Sequence, residues 1–377
     1  MEDIELLSDF SLFLREKKEE GKKIVGFISH DNIPEELIDA AGFFPLRLMF
    51  GGNDDLMNAS HDYLPPSTCA FAQSCIGLFS LKPNFFQFLD LIDYFIVSNH
   101  CVSDICASEI ISRYFNIPRL NFYISYTKNE NSLTYLRIEL ENFKDQLEEL
   151  IGHEIKDEDL LNSIKKYNIF KKELNELNDL SLKGSEKLKL LQKALLFGPD
   201  FMPELKRIIQ EHEQESSNYQ SNSRDLILTG CSIFINDYLV DLIEEGGGNI
   251  VFYDTWIGNN YLQIIDEKLI NEGEDPLKLL VQRFKDNIYG DHSVPNFLEN
   301  KIALILETYR KYEEKTGKKL AIINHIIKFC DHFSIVASFF KDKLQKEGLY
   351  VLNLERDYSK ANRGQLSTRI EAFLEMI

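Results

Sequence analysis

Apolar and polar positions alternate along this chain in two registers. Near the N-terminus a short apolar run, Lys23-Ile24-Val25-Gly26-Phe27-Ile28-Ser29, has the length and β-branching of a buried strand. Pro34, Glu35 and Glu36 then mark a first helical turn, because proline loses nothing where no N–H partner exists and acidic side chains suit the positive end of the helix dipole. Gly42 ends that helix ahead of a second strand, Phe44 to Met49, which predicts a β-α-β unit. A strand at Asp93 to Val97, a helix from Ser103 to Tyr114 and a strand at Arg119 to Ile124 continue the scheme.

From Leu133 to Gln214 the apolar period lengthens to that of long, charged helices, broken at Gly152-His153, Gly184 and Gly198-Pro199. Residues Glu215 to Ser223 are small and polar, the strongest linker signal in the sequence. After it the alternation resumes: strand Leu226 to Thr229, helix Asp237 to Glu245, strand Asn249 to Tyr253, and helices between Asp275 and Thr316. The chain closes with strand Leu320 to Asn324, helix Phe333 to Glu347, strand Tyr350 to Leu354 and helix Gln365 to Met376. The pattern predicts an α/β protein of two open parallel-sheet domains, of the Rossmann or flavodoxin kind, with an intervening helical segment. The expected divisions are residues 1–132, 133–222 and 223–377.

The 377 residues include 42 Lys and Arg against 61 Asp and Glu, a net charge of −19, and 44% are hydrophobic. That composition supports a real core and argues against nucleic acid or an anionic membrane as partner, since both call for a cationic surface. No apolar run approaches the ~20 residues of a membrane span, and Met1 to Leu14 is acidic, unlike a signal peptide. The expected compartment is the cytoplasm. In a reducing cytosol the six cysteines are not expected to pair as disulfides, which leaves packing, catalysis or metal binding.

Open parallel sheets bind ligands beyond the carboxyl ends of their strands. Cys101, Cys231 and Cys330 each follow a predicted strand, and Cys69 lies on the loop Pro65-Pro66-Ser67-Thr68-Cys69 leading into a helix. Thiols from both halves are therefore expected to meet in a cleft. Taken singly, each is a packing residue before it is a ligand. Cys75 and Cys231 fit that plainer role, and Cys106, five residues from Cys101, is ambiguous. No C-x-x-C pair occurs, so spacing alone specifies neither zinc nor a ferredoxin-type cluster. His30, His100, His325 and His332 fall near strand ends without metal-ligand spacing and are weak acid/base candidates. No dinucleotide or P-loop glycine motif follows a strand, and Gly246-Gly247-Gly248 ends a helix instead of opening one. Trp256 lies on a loop after the Asn249 to Tyr253 strand, where it could touch a ligand.

Several stretches stand in a recognisable order: Ile33-Pro34-Glu35-Glu36-Leu37-Ile38 with Ala40-Ala41-Gly42-Phe43-Phe44-Pro45, then Cys69-Ala70-Phe71-Ala72-Gln73-Ser74-Cys75, then Cys101 after a strand. Asp275-Pro276-Leu277, Ile327-Lys328-Phe329-Cys330-Asp331 and the run Gly364 to Phe373 follow. In these motifs the chain resembles the 2-hydroxyacyl-CoA dehydratase and benzoyl-CoA reductase family over nearly its whole length, most of all the smaller, beta-type subunit of the dehydratases. The resemblance implies a [4Fe-4S] cluster on three cysteines, here Cys69, Cys101 and Cys330, with one iron left without cysteine. The family usually carries Asp immediately after its second cluster cysteine; this chain has Val102, with Asp104 nearby. Relatives with a linked double cluster have extra cysteines where this chain shows Trp256 and Tyr289-Gly290, so a single cluster is expected.

The resemblance further implies an oxygen-sensitive lyase of anaerobic cytoplasm. One electron entering a thioester carbonyl gives a ketyl radical, which expels the 2-hydroxyl of a 2-hydroxyacyl-CoA and acidifies its 3-position. The implied partners are a paralogous dehydratase subunit in a heterodimer, a separate ATP-dependent iron–sulfur activator, and the acyl-CoA substrate. Three alternatives remain: a benzoyl-CoA-reductase-like subunit, a non-catalytic electron-relay or assembly protein, and an α/β binding module whose cysteines are core.

Overall fold

Short runs of Ile, Val, Leu and Phe form strands buried on both faces, as a parallel sheet flanked by helices requires. In the computed structural model, which describes residues 2–28, 32–214, 223–290 and 293–377, β1 (Ile24–Ile28), β2 (Phe44–Leu48) and β7 (Ala321–Ile327) are buried at every position. The first half runs α1 (Glu2–Glu19), β1, α2 (Glu35–Ala40), β2, α3 (Asp54–Ser60), α4 (Ala70–Leu81), β3 (Tyr94–Ser98), α5 (Val102–Tyr114) and β4 (Arg119–Phe122). Four helices follow: α6 (Glu130–Ile151), α7 (Asp157–Glu176), α8 (Gly184–Phe197) and α9 (Met202–Gln214). The rest is β5 (Arg224–Gly230), α10 (Leu239–Glu245), β6 (Gly248–Asp254), α11 (Glu267–Asn271), α12 (Pro276–Asp286), α13 (Phe297–Thr316), β7, α14 (Asp331–Ser334), α15 (Ala337–Lys346), β8 (Val351–Arg356) and α16 (Arg363–Glu375).

Each half holds a four-stranded, wholly parallel sheet, ordered β2-β1-β3-β4 and β6-β5-β7-β8. The expected α/β class with two parallel sheets is what the protein has. Residues 215–222, most of the polar stretch read as a linker, lie outside the described residues. The predicted helix from Phe333 to Glu347 is two helices, α14 and α15, and α1 is an N-terminal helix that the strand pattern did not announce.

The sheets meet at the carboxyl ends of their strands. The Gly51 N–H donates to the Ile235 carbonyl at 2.6 Å and the Ile235 N–H to the Met49 carbonyl at 2.9 Å, which joins the loop after β2 to the loop after β5. Beside this seam the Phe71 and Phe234 rings stack at 3.8 Å. The Ala70 N–H also donates to the Lys328 carbonyl at 3.2 Å, tying the start of α4 to the loop after β7. One continuous apolar core includes residues of both sheets.

Two local devices hold the elements that frame the seam. Gly77 lets α4 lie against α3: a Cβ there would fall 2.0 Å from the Leu56 carbonyl oxygen, a backbone atom that cannot step aside. Gly77→Ala is expected to cost about 1–3 kcal/mol by overpacking. Thermal melting measures it, and an unchanged midpoint would mean that α3 and α4 part without strain.

The second device is ionic. Glu35 and Glu36 occupy the first turn of α2, as expected, but both are buried. Glu35 pairs with Arg47 at 3.1 Å, and Glu36 pairs with Arg283 of α12 and with Lys171 of α7 at 3.8 Å. Three distant segments thus converge on one helix end. Burial opposes the Glu36 charge, but Arg283 and then Lys171 outweigh it and lower its carboxyl to about 2. Burial, with Arg283 adding to it, lowers Lys171 to about 8.

Candidate active site

The loops at the carboxyl ends of the two sheets enclose a cavity of about 410 Å3. Cys69, Cys101, Cys231 and Cys330 all line it, with His100, Trp256 and His332. Three of these thiols occupy the same local position. Cys69 precedes the first residue of α4, Cys101 that of α5 and Cys330 that of α14. At such a position the first backbone N–H groups of the helix point outward and favour negative charge on what they face. The Asp104 N–H donates to the Cys101 sulfur at 3.3 Å. Cys69 and Cys330 stand at the same point of their helices, near the N–H groups of Phe71 and Ala72 and of Phe333, without capping them through the sulfur. Phe329, just before Cys330, takes φ of +63°, a left-handed turn uncommon for a bulky side chain, and it turns the chain from β7 into α14.

The thiols are coupled to one another. Cys330 lies in contact with both Cys69 and Cys231, and Cys101 feels the charge of Asp104 and of Cys69. Contact with Cys330 and then burial push the Cys69 thiol well up. Burial and then Asp104 push Cys101 up, and Cys330 is raised first by Cys231. Left to themselves these thiols stay protonated at neutral pH. A bound cation reverses that, since a coordinated thiol gives up its proton. Among the described residues no three His, Cys, Asp or Glu side chains converge on one metal ion. An iron–sulfur cluster takes each thiolate on a different iron, so its ligands need not converge on one point. A soft, all-sulfur donor set in an apolar cavity, with helix N–H groups aimed at the sulfurs, fits such a cluster.

The remaining candidates separate cleanly. Cys75 is fully buried in the core within α4, and Cys106 is exposed on α5, away from the cavity lining. His100 is buried, its Nδ1 3.4 Å from Asp104 Oδ2, and that same oxygen accepts from Ser98 Oγ at 2.6 Å. His325 does not line the cavity. Its Nε2 accepts from Arg356 Nε at 3.1 Å, which leaves its proton on Nδ1, 2.8 Å from the Cys231 carbonyl oxygen. Burial and then Arg356 drive its pKa well down, so it is neutral and braces the Cys231 loop. His30 lies outside the described residues. Cys231 reads in sequence as a small core residue at a strand end. It is as buried as that role demands, yet it lines the cavity, and no local signal separates the two placements.

Among the described residues no lysine or arginine lines the cavity. Its exposed lining is mostly apolar: Val102 is 70% exposed and Ile335 79%, with Tyr126 and Val294 also exposed beside them and Asp331 the exposed carboxylate. Among the described residues no helix is long and apolar enough to cross a membrane.

Comparison with known proteins identifies the family. The family model described as 2-hydroxyglutaryl-CoA dehydratase, D-component, matches residues 32–377. The chain is 24% identical to the protein named "Putative dehydratase subunit YjiM" of Escherichia coli (strain K12), over 97% of this chain and 94% of that one. It is 22% identical to the (R)-phenyllactyl-CoA dehydratase beta subunit of Clostridium sporogenes, with the same coverage of both chains. It is 24% identical to the lactoyl-CoA dehydratase subunit beta of Anaerotignum propionicum, over 96% of this chain and 93% of that one. With a match that takes in every strand but β1 and all four cavity thiols, the chain belongs to the family of the 2-hydroxyglutaryl-CoA dehydratase D-component.

Proposed function

We propose that this chain is the iron–sulfur subunit of a 2-hydroxyacyl-CoA dehydratase, with Cys69, Cys101 and Cys330 holding a [4Fe-4S] cluster. The observation that carries it is the meeting of three thiols, each just before the first residue of a helix and each from a separate stretch of chain, in one cavity between the sheets. When bound, such a cluster supplies a single electron to a thioester carbonyl, the chemistry that makes loss of a 2-hydroxyl feasible. The protein contributes the enclosure. Its apolar walls keep water from a reduced centre, and the N–H groups at the helix starts offset thiolate charge.

The same walls assign work to a partner. A CoA thioester carries phosphates that call for lysine or arginine, and the described cavity lining has neither. The exposed apolar rim of Val102, Val294 and Ile335 suits burial under a second, paralogous subunit that holds the thioester. The beta-subunit names of two relatives support that division. An ATP-dependent activator supplies the electron, and the complex works in an anoxic cytoplasm. The missing cations also favour a second reading, in which this chain relays electrons and the partner performs the elimination.

Anaerobic turnover tests both. The chain, a paralogous subunit, the activator, ATP and a reductant are mixed with a 2-hydroxyacyl-CoA. Formation of the enoyl-CoA is expected, with none when this chain is omitted. Reduction of an aryl-CoA in its place would move the assignment to the benzoyl-CoA reductase side of the family. Iron in the chain without turnover in any combination would leave an electron-relay or assembly role.

A further inference from the structure

Three thiols leave one iron of a four-iron cluster without a protein ligand. A fourth thiol stands in the same cavity. Cys231 is 4% exposed and follows Gly230, whose φ of +94° and closeness to the His325 carbonyl oxygen, 2.3 Å from any added Cβ, admit only glycine. That turn swings the chain off β5 and into the cavity. Its position is then fixed three times against β7. The Cys231 N–H donates to the His325 carbonyl at 2.8 Å, the Cys231 carbonyl accepts from His325 Nδ1, and the Ile327 N–H donates to the Cys231 sulfur at 3.3 Å. Behind His325 stands Arg356, itself paired with Asp237. A sulfur that already accepts a backbone N–H is arranged as cluster thiolates are. Cys231 lines the same cavity as Cys69, Cys101 and Cys330, with Cys330 beside it.

We propose that Cys231 is the fourth thiolate ligand, closing the iron that Cys69, Cys101 and Cys330 leave open. This rests on the cluster assignment above and deepens it. On ligation the Cys231 S–H bond breaks, its proton passes to solvent, and an iron–sulfur bond forms; no electron changes hands. A cluster with four cysteines has no site for a substrate oxygen, so the centre in this chain transfers electrons and the open iron belongs to the partner.

The test compares anaerobically purified wild type with Cys231→Ala and Cys231→Ser, each treated with a small excess of ferricyanide. Iron per chain and the electron paramagnetic resonance spectrum are read before and after. A cluster with an unprotected iron loses it on oxidation and becomes a three-iron cluster with a sharp signal. Wild type is expected to keep about four irons per chain, and both variants to start near four and shed about one. Wild type that sheds an iron as readily as the variants overturns the proposal. That wild-type result stands even where a variant fails to fold, which circular dichroism reveals. A wild type that never holds iron overturns the cluster assignment itself, a distinguishable outcome.

Discussion

Cys101→Ser is expected to leave the fold intact and take the iron away. Cys101 caps α5 through its sulfur, and serine is among the preferred residues at that position, so the hydroxyl takes over the Asp104 N–H and the helix keeps its start. What serine cannot replace is a soft, readily ionised sulfur. Its oxygen stays protonated and binds iron poorly beside sulfide. The other cysteine near it in sequence, Cys106, is exposed on α5 and outside the cavity lining, and Cys231 lies against Cys330 and not against Cys101, so neither thiol takes its place and the three that remain are bunched beside one another. Iron and acid-labile sulfide, each about four per chain in the anaerobic wild type, should fall below about one in Cys101→Ser and stay unchanged in Cys106→Ser. The melting midpoint of the metal-free forms should coincide. Full iron in Cys101→Ser would remove this residue from the ligand set. The same substitution at Cys330 is less clean, because Cys231 lies against it.

The second large effect lies outside the cavity. Glu36→Gln leaves Arg283 and Lys171 buried without their shared counter-charge, a loss expected to cost about 3–5 kcal/mol. A substitution that also removes the cation, Glu36→Gln with Arg283→Met, should recover part of it, since an apolar pair of similar volume replaces an ion pair more cheaply than an orphaned charge does. The pH dependence carries a definite sign. The folded carboxyl sits at about 2 against an ordinary 4.5, so the unfolded chain takes up the proton first as the solution is acidified. Its contribution is complete above about pH 4.5 and disappears as pH falls towards about 2. Denaturant unfolding of the metal-free protein between pH 7 and pH 3 should therefore show a shallower acid decline in Glu36→Gln than in wild type. Parallel curves would mean that Glu36 is not the group that acid releases.

Both effects mark where local pattern ended. The apolar runs at Ile24, Phe44 and Leu226 sufficed to place strands, because burial on both faces of a parallel sheet demands continuous β-branched and aromatic residues. Motif order sufficed for the family, since those motifs are contiguous stretches of chain. The pattern also placed Glu35 and Glu36 at a helix start. It could not show that they are buried, because Arg47, Lys171 and Arg283, which make that burial tolerable, come from three other segments.

The sequence by itself determined two open parallel sheets and thiols following their strands, for strand propensity and loop position are written in adjacent residues. Tertiary structure alone decided which thiols meet. Cys101, which caps α5, and Cys106 within it differ by five positions, and only the packing of α5 puts one in the cavity and the other on the surface. Cys231 and Cys75 look alike in sequence, both small and apolar in surroundings, yet a glycine turn and a neutral histidine from the neighbouring strand set Cys231 against Cys330. Contact between residues a hundred positions apart depends on how the two sheets join at Met49, Gly51 and Ile235, and no local stretch of residues encodes that joint.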